Sequence, residues 1–108
     1  MDNKETTEIK KEKVGLRTKS DFIKIGRKPA ITYILATVTL FSQGAKKVTL
    51  QARGNSISTA VNVEQSVRRS IDNLADTIVK FDTVDIDDKE KNRRVKVSTA
   101  DITLMLKE

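Results

Sequence analysis

The chain has 108 residues, a formal net charge of +6, and neither cysteine nor histidine. That is enough for one small basic domain, and it excludes disulfide frameworks, thiolate or imidazole metal sites and histidine-based acid–base catalysis. No apolar run approaches the ~20 residues needed to cross a bilayer, and the N-terminus does not read as a signal peptide. The basic balance points to a polyanionic partner, either nucleic acid or an acidic membrane surface.

Residues 1–20 are charged and poor in apolar side chains, with Ile9, Val14 and Leu16 the larger ones after Met1. Such a stretch buries too little to offset its ordering entropy, so it is expected to be a disordered tail ahead of a domain at 21–108. Asp21 to Ile25 reads as a short strand. Gly26-Arg27-Lys28-Pro29 then forms a tight loop, with Pro29 tolerated at a first helical position. The run from Ala30 to Gln43 places Ile31, Ile34, Leu35, Val38 and Phe41 on one helical face. Its threonines keep a strand reading in competition, but the run is long for one buried strand. Gly44 suits a left-handed helix end.

Val48, Leu50 and Ala52 alternate with polar residues as a second strand. A strand–helix–strand order with tight loops argues for a parallel pair and a right-handed crossover. Arg53-Gly54-Asn55-Ser56 opens a second helix, which Asn55 or Ser56 can cap. Ile57, Ala60, Val61, Val67, Ile71 and Leu74 form its apolar stripe, interrupted by Glu64 and Arg68. Arg68 has Glu64 and Asp72 one turn to either side, so local ion pairing is its expected role. Thr77 to Asp87 and Val95 to Lys107 are two β-rich runs of a long hairpin. The apolar parity shifts within each run, which a bulge or a strong twist would explain. Strands of that length outreach the body, so the hairpin should project as an arm with Arg93 and Arg94 at its tip.

The cations are unevenly spread. Residues 21–54 hold six against one anion, and residues 91–108 hold five against two. Arg27 and Lys28 stand at a helix N-terminus, where free backbone N–H groups and the helix dipole favour an anion. Arg53 and Asn55 repeat that arrangement at the second helix. The natural ligand is phosphate. Asp82, Asp85, Asp87, Asp88 and Glu90 are the candidate carboxylates for a metal-dependent nuclease, but an acidic, solvated hairpin end is the commoner reason for such a cluster. Neither helix sets a basic face against a large apolar one, which ranks membrane binding last.

In order and spacing these pieces resemble the Alba family of small basic nucleic-acid-binding proteins, best known as archaeal chromatin proteins. The resemblance runs through Ile25-Gly26-Arg27-Lys28-Pro29, Tyr33-Ile34-Leu35-Ala36, Phe41-Ser42-Gln43-Gly44, Ala52-Arg53-Gly54-Asn55-Ser56-Ile57-Ser58-Thr59-Ala60-Val61 and Val97-Ser98-Thr99-Ala100-Asp101-Ile102, covering about residues 21–107. It implies an α/β (α+β) fold in the order β-α-β-α-β-β, two helices on a four-stranded mixed sheet with a protruding C-terminal hairpin. It also implies a homodimer whose loops lie along double-stranded DNA while the arms reach toward the minor groove. Arg27, Lys28, Arg53 and Asn55 take the family's loop positions; Arg93 and Arg94 fall in its variable arm.

The family's first loop has two lysines, and acetylation of the first is associated with weakened binding. Arg27 occupies that position here, which leaves Lys28 as the acetylatable amine. Asn55 replaces a frequent arginine. Ile71 replaces a phenylalanine used in dimer–dimer contacts along DNA. No cofactor or metal is implied. The expected setting is a chromosome or nucleoid in the cytoplasm, with structured RNA the alternative partner.

Overall fold

The computed structural model describes residues 9–10 and 20–107. In chain order the elements are β1 (Ile9–Lys10), β2 (Ser20–Lys24), α1 (Ala30–Ser42), β3 (Lys47–Arg53), α2 (Ser56–Ser70), β4 (Ile78–Asp88) and β5 (Arg93–Met105). The two helices and the four longer strands follow the order β-α-β-α-β-β, as the family resemblance implies. The sheet order is β1-β2-β3-β5-β4. β2 and β3 are parallel, and the other pairs are antiparallel. The expected tail at 1–20 falls largely outside the described residues. Within it, Ile9 and Lys10 pair with Ile23 and Phe22, so β1 extends the outer edge of β2.

Opposed residues on neighbouring strands share a face. Ile23, Leu50 and Ile102 form one such row and are buried, as are Val48 and Leu104 in the next row but one. These rows face the helices. The alternate rows, among them Lys24–Gln51–Asp101–Lys80, lie on the opposite face.

The buried line of α1 is Tyr33, Thr37, Leu40 and Phe41. This corrects the expected face: Ile31 and Leu35 are 56% and 59% exposed. α1 carries apolar residues nearly all round, so hydropathy alone could not choose the inward side. Thr37 enters the core because its hydroxyl donates to the Tyr33 carbonyl at 2.8 Å, leaving no polar group unpaired. Gly44 has φ 106°, the left-handed end expected of it, and its N–H donates to the Phe41 carbonyl at 3.1 Å.

α2 buries Ala60, Val63, Glu64 and Val67 and ends at Ser70, short of the expected Leu74. Val61 points away, and Leu74 instead bridges to Leu106. Glu64 belongs to the stripe it was expected to interrupt. Its carboxylate pairs with Arg68 Nε at 3.0 Å and accepts the Thr77 hydroxyl. The Arg68 guanidinium also donates to the Thr77 hydroxyl and, at 3.0 Å, to the Ala75 carbonyl. These bonds clamp the end of α2 to the chain entering β4.

β4 and β5 pair in one unbroken register from Ile78↔Thr103 to Asp88↔Arg93, so of the bulge or strong twist expected there the bulge is absent. The parity shift is a change of face: Val79 and Phe81 share the helix-bearing side with Ile102 and Ala100, whereas Val84, Ile86, Val95 and Val97 lie together on the opposite side. The change falls where β3 ends opposite Thr99 and no third strand among the described residues pairs with the hairpin any further. The turn is closed by Asp88, whose carboxylate accepts the N–H groups of Glu90 and Lys91 at 3.1 and 3.2 Å, and by Asn92 at φ 53°.

Arg68→Ala leaves the nearly buried Glu64 carboxylate without its cation. A loss of about 1–2 kcal/mol in unfolding free energy is expected, read from the urea midpoint. An unchanged midpoint would show that the clamp contributes nothing.

Candidate nucleic-acid interface

Parallel pairing of β2 and β3 sends both strands out of the sheet at the same edge. The loops that follow therefore open side by side, at the end where α/β folds gather ligands. The Ile25 N–H donates to the Gln51 carbonyl at 2.8 Å, carrying the pairing one residue past β2. β5 runs the opposite way, so the hairpin also leaves the body at this edge. The Gly54 N–H donates to the Ser98 carbonyl at 2.8 Å and joins the second loop to the base of the arm. Gly54 has φ +54°, which favours glycine over residues with a side chain.

The first loop is organised from beneath by Tyr33. This side chain is 2% exposed, and its hydroxyl accepts the N–H of Gly26 at 2.8 Å and that of Lys28 at 3.2 Å. In the sequence Tyr33 reads only as part of the Tyr33-Ile34-Leu35-Ala36 motif; its spacing of seven residues from Gly26 is the one hint of this bridging role. Pro29 takes the N-cap position of α1, one residue earlier than expected, with φ −59° and ψ 149° and no side-chain capping bond. From that loop Arg27 projects into solvent, and Lys28 is half-buried.

In the second loop Arg53 and Asn55 are exposed. Asn55 occupies the N-cap position of α2 without a side-chain capping bond. The Ser56 hydroxyl reaches the Gly26 carbonyl at 3.5 Å and links the two loops. Neither helix has an acidic residue in its first turn, so both positive dipole ends face the loops unopposed. Between the loops and the open sheet face lies a cleft of about 610 Å³, lined in part by Lys24, Arg27, Gln51, Arg53, Thr99 and Asp101.

Arg27, Lys28, Arg53 and Asn55 thus come together. Arg93 and Arg94 do not: Arg93 stands six steps of extended strand from Thr99 at the arm's base, roughly 20 Å. The arm also answers its own charge. Arg94 pairs with Asp87 at 3.5 Å and Lys96 with Asp85 at 3.1 Å. Residues 82–96 carry five cations and five anions. The carboxylates singled out for nuclease chemistry are strung along this hairpin. Among the described residues no group of three acidic side chains is arranged to hold a metal.

Tyr33→Phe removes the acceptor shared by two loop N–H groups. Faster amide exchange at Gly26 and Lys28, with a stability loss of about 1 kcal/mol, is the expected result. Unchanged exchange would remove Tyr33 as the organiser of the loop.

The Alba family model matches residues 21–88. The "DNA/RNA-binding protein Alba" of Methanocella arvoryzae is 40% identical over 84 residues, which is 74% of this chain and 83% of the relative. Its namesake in Nanoarchaeum equitans is 38% identical over 87 residues, 77% of this chain and 94% of the relative. Among solved structures, Alba from Thermoplasma volcanium superposes with a TM-score of 0.72 at 33% identity, covering 78% of this chain and 98% of its own. ALBA1 from Trypanosoma brucei shares the fold at TM-score 0.57 and 20% identity, covering 81% of this chain and 69% of its own. With a family match across most of the chain and relatives near 40% identity, the chain belongs to the Alba family.

Proposed function

We propose that this chain acts as a homodimer that binds double-stranded DNA with little regard to sequence, as an architectural protein of a nucleoid in the cytoplasm. It acts by binding, not catalysis. The observation that carries the reading is the convergence of Arg27, Lys28, Arg53 and Asn55 at one sheet edge, beside two helix N-termini without acidic neighbours. Phosphate contacts of this kind release counterions and position a protein on a duplex, but they read no sequence.

Dimerisation finds support on β4. Val79 and Phe81 lie on the side of the sheet that bears the helices, yet are 44% and 70% exposed, with Val61 of α2 also uncovered. An apolar face of this kind suits a second copy. The two copies would then add their loop cations along one duplex. Ile71, half-buried at the end of α2, is the position for contacts between neighbouring dimers.

In the arm, Arg93 and Arg94 are proposed to approach the minor groove, with Arg94 exchanging Asp87 for the groove's negative potential. Lys28 is the amine through which acetylation would weaken the first loop, since the guanidinium of Arg27 is not acetylated in the same way. Structured RNA is the second reading, since the names of the relatives give RNA beside DNA. Competition between duplex DNA and structured RNA of equal length separates the two.

Paired Arg27→Ala/Lys28→Ala and single Arg53→Ala variants should each weaken duplex DNA binding at least about tenfold at fixed salt in a fluorescence titration. Wild-type affinity in both would refute the loop reading. Phe81→Asp should shift the protein from dimer to monomer in sedimentation; a persistent dimer would move the interface elsewhere.

A further inference from the structure

The cleft under the two loops holds a carboxylate that phosphate binding does not explain. Asp101 sits half-buried in its wall, in one row with Lys24, Gln51 and Lys80 on the sheet face away from the helices. Direct neighbours in such a row stand ~5 Å apart. Yet among the described residues Asp101 forms no ion pair with Lys24, Arg53 or Lys80, and neither the Gln51 amide nor the Thr99 hydroxyl has a partner. On a surface made for polyanions an unpaired carboxylate weakens phosphate attraction. Its unspent capacity is two adjacent acceptor oxygens, able to take a pair of donors side by side.

Resting on the phosphate reading of the same loops, we propose that this cleft takes an unpaired guanine nucleotide of a single strand. Guanine alone among the four bases presents two adjacent donors, N1–H and N2–H, on its pairing edge. Those two meet the Asp101 carboxylate. Guanine O6 accepts from the Gln51 amide or the Lys24 ammonium. Adenine and cytosine place a bare ring nitrogen beside their amino group, which would face a carboxylate oxygen. Uracil offers one N–H between two carbonyls. Arg27 and Arg53 at the rim hold the flanking phosphates. A cleft of about 610 Å³ falls in the size range of small-ligand sites and has room for one nucleotide. Within a duplex the pairing edge of guanine is already used, so only strand ends, bulges and single strands can offer it.

The test is fluorescence anisotropy with labelled ten-nucleotide uridine strands bearing one central guanine, adenine, cytosine or inosine, in ribose and deoxyribose (thymidine) forms. Duplex DNA is titrated alongside with the same preparation. Guanine should bind about tenfold tighter than adenine or cytosine. Inosine, which lacks the N2 amine, should lose most of that margin. Asp101→Asn should bring the ratio to near unity, and Gln51→Ala should reduce it. Equal preference in the two sugar series places recognition on the base; a preference confined to ribose would overturn it in favour of the 2′-hydroxyl. If duplex DNA binds while all four bases bind alike, or if both variants keep the guanine margin, this inference fails alone. If neither duplex nor single strands bind, the phosphate reading fails with it.

Discussion

The parallel pairing of β2 with β3 is the constraint on which the rest depends. It forces two strand-to-helix loops out at one edge, and each helix that follows aims its N-terminus there. Phosphate chemistry then needs only cations in those loops and no acid in the first helical turns. Tyr33 turns this placement into a defined shape, because one buried hydroxyl accepts two N–H groups of the first loop. A flexible basic loop would have to be ordered by its ligand. One already tied to the core spends less entropy when it binds.

The loops and the arm solve different electrostatic problems. The loop region from 21 to 54 has an excess of five cations that its own anions do not answer. The arm sets acids against bases across the hairpin, so it reaches far without a field of its own. Long-range attraction therefore belongs to the loops. In the proposed binding mode the arm has to exchange an internal pair for an external one, which would make it a short-range element. The same contrast explains why the Asp101 carboxylate stands out: it is an anion placed within the cationic half of the molecule.

Much of this was legible in the residues. Arg27, Lys28, Arg53 and Asn55 sit in short motifs whose glycines and proline declare loops, and the strand–helix–strand order already implied that the loops share an edge. The hairpin's length announced the arm. Three features were illegible for physical reasons. The inward face of α1 could not be chosen, because Ile31 and Leu35 are as apolar as the residues that are buried, and Thr37 is buried by virtue of a bond to its own helix. Glu64 looked like an interruption because, although its ion pair with Arg68 one turn on was expected, the Thr77 hydroxyl and the chain entering β4 that close over it meet it only in three dimensions. The parity shift suggested a bulge or a strong twist, but the register runs unbroken and the distal apolar residues Val84, Ile86, Val95 and Val97 simply share the face away from the helices, a change of side that local alternation does not reveal.

If the two loops act as one phosphate-binding surface in a dimer, as proposed, the affinity of the full chain for duplex DNA must depend steeply on salt. With ~6 phosphate contacts per dimer, log K should fall against log salt with a slope of roughly −5. A slope near zero would mean that the clustered cations displace no counterions, and the loops would then not be a phosphate clamp.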